Sequence, residues 1–197
     1  MEAAWRCQLR YLPYGVSRLA ARVTIVGKKD HIMKLNWGII GAGAIAKAFA
    51  VGAKMSSKAN LAAVASRDLE KAKKFAAEYG VPTAYGSYEE LLKDKNIDAV
   101  YVCTPHPMHA EWSIAALEVG KHVLCEKPFA LNYYEAMKVI ETAREKGLMV
   151  AEAFMYRCHP QTAKLVELIR SRAIGEVRVI QAAFSFHAQF NPEGRLF

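Results

Sequence analysis

Residues 41–46 read Gly-Ala-Gly-Ala-Ile-Ala, a spacing of small residues that can hold a diphosphate. Gly41 permits a tight turn, and Gly43 leaves no Cβ between an anion and the backbone. The small side chain at Ala46 lets a helix lie close on a strand. An anion arriving there meets the unpaired N–H groups of a helix start, with Ala44 and Ile45 in the first turn, and the positive end of the helix dipole. Ala65-Ser66-Arg67 sets a hydroxyl beside a guanidinium, a pair suited to a phosphate because Arg–phosphate contacts are charge-assisted. Asp68, the next residue, is the type that holds free ribose hydroxyls instead. Residues 103–109, Cys-Thr-Pro-His-Pro-Met-His, supply Thr104, Pro105 and His109, and residues 125–128 supply Glu126 and Lys127 ahead of a proline. An amine in that position can bind a hydroxyl or carbonyl oxygen, or move its proton. Cys103, His106 and His109 are metal-ligating types, but no fourth ligand accompanies them, so no metal is expected.

These residues act together only if the fold gathers them. Leu35–Ile40 is an apolar run ending at the first glycine, and the pattern over 44–55 is helical, with Ile45, Ala48 and Phe49 on one face. Apolar runs at 61–65, 83–85, 99–103, 122–125 and 148–154 alternate with helical patterns at 68–79, 87–92, 109–119 and 132–146. In the helix over 68–79, Leu69, Ala72, Phe75 and Ala76 recur at helical spacing. Asp68 or Ser66 can cap its start, and Gly80 closes it. Short strands separated by helices mean βαβ units and a parallel, doubly wound α/β sheet. In the order 3-2-1-4-5-6 the crevice opens where strands 1 and 4 are neighbours, and every candidate residue follows a strand end. From residue 160 the pattern changes to a helix over 161–171 and one long strand over 177–186.

The bulk composition excludes several classes. With 53% hydrophobic and 23% charged side chains the chain can bury a core. No apolar run approaches the ~18 residues of a membrane span. Four cysteines without paired spacing read as reduced thiols of a cytoplasmic protein, not a disulfide framework. The net charge of +8 is concentrated in residues 1–34, with seven Lys/Arg against two acids. Residues 35–197 carry twenty against seventeen, so no basic groove for nucleic acid is indicated. Residues 1–32 lack the periodicity that follows. They are read as a loosely ordered extension, with translation expected to begin at Met33 rather than a transit peptide to be removed.

Taken together, residues 41–46, Ala65-Ser66-Arg67, Thr104-Pro105 with His109, the run Gly-Lys-His-Val-Leu-Cys-Glu-Lys-Pro at 120–128, and Glu-Ala-Phe-Met-Tyr-Arg at 152–157 resemble the glucose–fructose oxidoreductase, inositol dehydrogenase and MocA family. The last stretch is most similar to its dihydrodiol dehydrogenase and NADP-dependent xylose dehydrogenase branch. The resemblance implies a Rossmann domain over 33–158 and, from 159 to 197, the beginning of a second α/β domain that family members continue well past this length. It implies hydride transfer between nicotinamide and a sugar, polyol or diol, with Lys127 beside the nicotinamide and the substrate oxygen. Gly41, Gly43, Ala44, Ile45, Ser66, Arg67, Thr104, Pro105, His109, Glu126, Lys127 and Arg157 would line the cofactor. NADP is expected from Arg67, and NAD stays open through Asp68. It also suggests homo-oligomers formed through the second domain. A non-catalytic dinucleotide-binding module and an inactive fragment of such an enzyme are the alternatives.

Overall fold

The structure, a computed structural model, describes residues 34–185, so the extension at 1–32 lies outside the described residues. Two compact units divide at residues 154 and 155.

The first unit is a six-stranded sheet in the order β3-β2-β1-β4-β5-β6 with every pair parallel. Its strands are β1 (Leu35–Ile40), β2 (Ala59–Ala65), β3 (Thr83–Tyr85), β4 (Ala99–Val102), β5 (His122–Cys125) and β6 (Val150–Glu152). Between them run α1 (Ala44–Lys54), α2 (Leu69–Tyr79), α3 (Tyr88–Lys93), α4 (His109–Glu118) and α5 (Tyr133–Glu145). A β-strand sends alternate side chains to opposite faces, and this sheet buries both. Ile40, Val100, Val102, Val123 and Cys125 pack under Leu91 of α3 and Leu117 of α4. Trp37, Ile39, Val64 and Tyr101 pack under Ala46 and Ala50 of α1 and Phe75 of α2. Each fully buried Leu or Ile contributes roughly 1.5–3 kcal/mol, so the two faces together fix the register that positions the strand ends.

Several expectations shift in detail. On α1 the buried residues are Ala46, Ala50 and Ala53, while Ala48 is exposed, because the small stripe brings the helix backbone close to the sheet. Leu69 opens α2 at 40% exposure, at a helix end that has not yet crossed the sheet. The strand expected over 148–154 shortens to three residues, since β5 offers β6 only the partners Val123, Leu124 and Cys125. His106–Met108, which contains Pro107, winds into a 3-10 turn ahead of α4.

The second unit contains a 3-10 turn (Met155–Cys158) and α6 (Pro160–Arg170). The strand expected over 177–186 does not form at residues 177–185, and Phe186 lies outside the described residues. A strand persists only as a member of a hydrogen-bonded ladder, and among the described residues no strand lies beside this one.

Candidate functional site

The carboxyl ends of the strands finish on one row. Ladder partners run Tyr85–Ala65–Ile40–Val102–Cys125–Glu152 across all six strands. The next residue of each strand bonds back to that row. Gly41 N–H donates to Ala65 O at 3.0 Å, Cys103 N–H to Ile40 O at 3.0 Å and Glu126 N–H to Val102 O at 2.9 Å. The glycine turn, Ser66-Arg67, Thr104 and Glu126-Lys127 therefore leave a single edge. Arg67 and Lys127 follow strands three positions apart, roughly 14 Å at the usual interstrand spacing.

The two glycines have different tasks. Gly41 has φ +106°, and a Cβ there would lie 3.0 Å from Cys103 O. Only glycine fits so tight a junction of two strand ends. The Cys103 thiol, weighed from sequence only as a metal ligand, donates to Gly41 O at 3.0 Å and anchors the turn. Gly43 has ordinary extended backbone, and its Cβ position faces open space. It precedes α1, whose first turn carries no acid and whose start has no side-chain cap, so its N–H groups are available to an anion. Ala46 is fully buried, Ala44 exposed and Ile45 half-buried.

At the end of β2, Ser66 is buried and its hydroxyl accepts from Asp68 N–H at 3.3 Å. Asp68 Oδ1 in turn accepts from the N–H groups of Glu70 and Lys71, capping α2. Arg67 is exposed and lies against Tyr88 at the start of α3. Burial pushes the Tyr88 phenol up, and the positive charge of the Arg67 guanidinium pulls the other way.

At the end of β4, Thr104 is 2% exposed, and its hydroxyl oxygen is buried without a hydrogen-bond partner among the described residues. Pro105 leads into the 3-10 turn. His109, placed by the sequence among the cofactor-lining residues, is fully buried. Its Nδ1 lies 2.7 Å from Pro128 O and its Nε2 2.9 Å from Thr104 O. Both ring nitrogens thus face backbone carbonyls and tie the β4 and β5 loops together.

After β5, Glu126 is buried and Lys127 exposed. Glu126 Oε1 accepts the Tyr101 hydroxyl at 2.5 Å, and Oε2 accepts Lys127 N–H at 3.3 Å. The Lys127–Pro128 peptide is cis. Among the described residues no carboxylate pairs with the Lys127 amine. Arg157 is exposed in the 3-10 turn of the second unit. His159 caps α6 through Nδ1.

Sequence reasoning missed two contributors, Tyr101 and the Glu152 carboxylate that accepts Phe129 N–H at 2.9 Å. A tyrosine within an otherwise apolar strand was the available signal, because a buried phenol requires a partner. Among the described residues no His, Cys, Asp and Glu cluster could hold a metal. A cavity of about 560 Å³ opens at the opposite, amino-terminal edge near Leu35, Asp98 and His122. The buried amine at its wall, Lys121, donates to Asp94 O and Ile97 O, so it serves as an internal staple.

A parallel sheet in this order, with an uncapped helix start behind an open glycine at its switch point, defines a dinucleotide-binding α/β domain. The sequence profile of the oxidoreductase family with an NAD-binding Rossmann fold matches residues 35–154. The chain belongs to this family, the Gfo/Idh/MocA oxidoreductases. It is 41% identical over 162 residues to trans-1,2-dihydrobenzene-1,2-diol dehydrogenase of Mus musculus, covering 81% of this chain and 49% of that one. It is 43% identical over 150 residues to D-xylose 1-dehydrogenase (NADP(+)) 2 of Haloferax volcanii, covering 76% and 46%. Among solved structures, a 3-ketoreductase of Actinomadura kijaniata in complex with TDP-benzene and NADP superposes with a TM-score of 0.69 at 36% identity, covering 74% of this chain and 46% of that one. The chain thus spans about half the length of the curated relatives it matches.

Proposed function

We propose that this chain binds NADP(H) across the carboxyl edge of its sheet and serves hydride transfer at a carbinol or carbonyl carbon of a sugar, polyol or diol. The observation that carries this reading is the shared row from which Gly43, Arg67, Thr104 and Lys127 depart. The residues fit the cofactor: the space over Gly43 is open, and the buried Thr104 hydroxyl has no partner within the described protein. When bound, the nicotinamide supplies the hydride acceptor or donor. The α1 amides and Gly43 would take the diphosphate, and Arg67 the 2′-phosphate. Engagement of Asp68 Oδ1 in the α2 cap favours that coenzyme over NAD. Lys127, exposed and without an acidic partner among the described residues, would bind the substrate oxygen and carry its proton as C–H and O–H bonds exchange for C=O. Among the described residues no helix is long and apolar enough to cross a membrane. The four cysteines, spread along the chain without paired spacing, suit a cytoplasmic setting.

Fluorescence titration with NADPH and NADH tests the coenzyme. Arg67→Ala should weaken NADPH roughly tenfold or more, the worth of a charge-assisted contact, and leave NADH nearly unchanged. Equal losses for both would remove the basis for choosing NADP. Lys127→Ala should keep NADPH affinity while lowering turnover of D-xylose or a trans-diol by roughly a hundredfold or more. Because the chain spans half of its relatives, a second outcome has its own meaning. NADPH binding without turnover in the unaltered chain assigns it as a dinucleotide-binding module.

A further inference from the structure

Of four consecutive residues after β5, three are held by side chains that approach from three other elements, and the fourth by its neighbour's carboxyl group. Glu126 is gripped by the Tyr101 hydroxyl from β4. Lys127 N–H donates to the same Glu126 carboxyl group. Pro128 O faces His109 Nδ1 from α4, and Phe129 N–H donates to Glu152 Oε1 from β6. Tyr101 and His109 are 3% and 0% exposed. Tyr101 is itself fixed by Phe49 of α1, whose ring stacks on it at 4.1 Å with 18° between planes. Its register partner on β5 is Leu124, so the two-residue period of a strand carries Glu126 to the same face. Within this group Glu126 is buried and Phe129 half-buried, while Lys127 and Pro128 are exposed.

We infer that Tyr101 is a positioning residue. By holding the Glu126 carboxyl group it fixes the backbone of Lys127, and with His109 and Glu152 it clamps the loop that presents the amine, which stays free. A buried carboxyl group accepting on both oxygens has one orientation. Removing one donor leaves it under-bonded in a low-dielectric site, where it will rotate or recruit water. The amide of Lys127 then loses its acceptor. This inference rests on the functional reading above only in assigning work to Lys127; the clamp itself is a property of the apo chain.

The test uses the full 197-residue chain, labelled with 15N, and reads amide hydrogen exchange residue by residue by NMR. Tyr101→Phe removes one oxygen and keeps the ring stacked on Phe49. Exchange at Lys127 N–H should rise roughly tenfold, with Val100 N–H in the middle of β4 unchanged. Glu152→Ala should release Phe129 N–H in the same way and leave Val100 alone. In Tyr101→Phe the NADPH dissociation constant should stay within about twofold, because the phosphates set it. The emission of bound NADPH, which reports the nicotinamide, should change. Unaltered exchange at Lys127, or a rise shared equally with Val100, would overturn the clamp, the second because it reports general loosening. Failure of the unaltered chain to bind NADPH would strike the functional reading instead, and the exchange rates would still decide the clamp.

Discussion

Gly41 and Gly43 stand two residues apart, yet substitution should separate their roles cleanly. At Gly41 a Cβ would press on the Cys103 carbonyl at 3.0 Å, and the backbone sits at φ +106°. Gly41→Ala should therefore cost about 2 kcal/mol or more in a urea unfolding experiment. At Gly43 the backbone is one that any residue adopts, and the Cβ meets nothing within 4 Å. Gly43→Ala should unfold at the wild-type midpoint but bind NADPH roughly tenfold more weakly or worse, because the methyl stands where the phosphate approaches. A Gly43→Ala variant with full NADPH affinity would place the diphosphate elsewhere. The same contrast explains why a glycine motif alone is a weak signal: one glycine answers to the fold and the other to the ligand.

At the scale of elements, the helix starts follow a division of labour. Asp68, Ser87 and Asn132 cap α2, α3 and α5 with side-chain oxygens, whereas α4 follows directly on its 3-10 turn and α1 begins uncapped behind Gly43. Asp68→Ala should lower stability by about 1 kcal/mol, read as a fall in the urea midpoint, without weakening NADPH. Loss of NADPH affinity would mean that Asp68 contributes to the cofactor site. Most of this layer was legible in the sequence. β1 and β3, the Asp68 cap and the strand order follow from period, punctuation and the crossover rule, all of which are local or topological. The His109 and Tyr101 contacts were not, because they join residues 19 and 25 positions apart. Such contacts depend on which face a side chain takes and on what the neighbouring strand brings opposite it. The 177–185 segment shows the converse: its β-branched and aromatic residues carry strand propensity, but propensity cannot supply the neighbour that a ladder needs.

For the molecule as a whole, alkaline pH sets buried groups of opposite sign against one another. Burial pushes the Cys125 thiol up to about 12 from an ordinary value of 9.0, with its S–H directed at the carbonyls of Glu126 and Phe129. Burial also raises the phenols of Tyr85 and Tyr88. Between pH 9 and 12 the unfolded chain gives up the Cys125 proton first, so it holds fewer protons than the native chain. Stability then falls as pH rises through that window. Lys121 works in the other direction. Burial lowers its amine below 10.5, the unfolded chain keeps the proton longer, and stability rises with pH just beneath that value. Cys125→Ala isolates the larger contribution. The cavity it leaves costs a similar amount at every pH, so the comparison lies in slopes. Between pH 8 and about 11 the urea midpoint of the unaltered chain should drop more steeply than that of Cys125→Ala. Parallel profiles would show that Cys125 ionises as readily in the folded chain as in the unfolded one. The sheet would then be open to water beneath the very loop that carries Lys127.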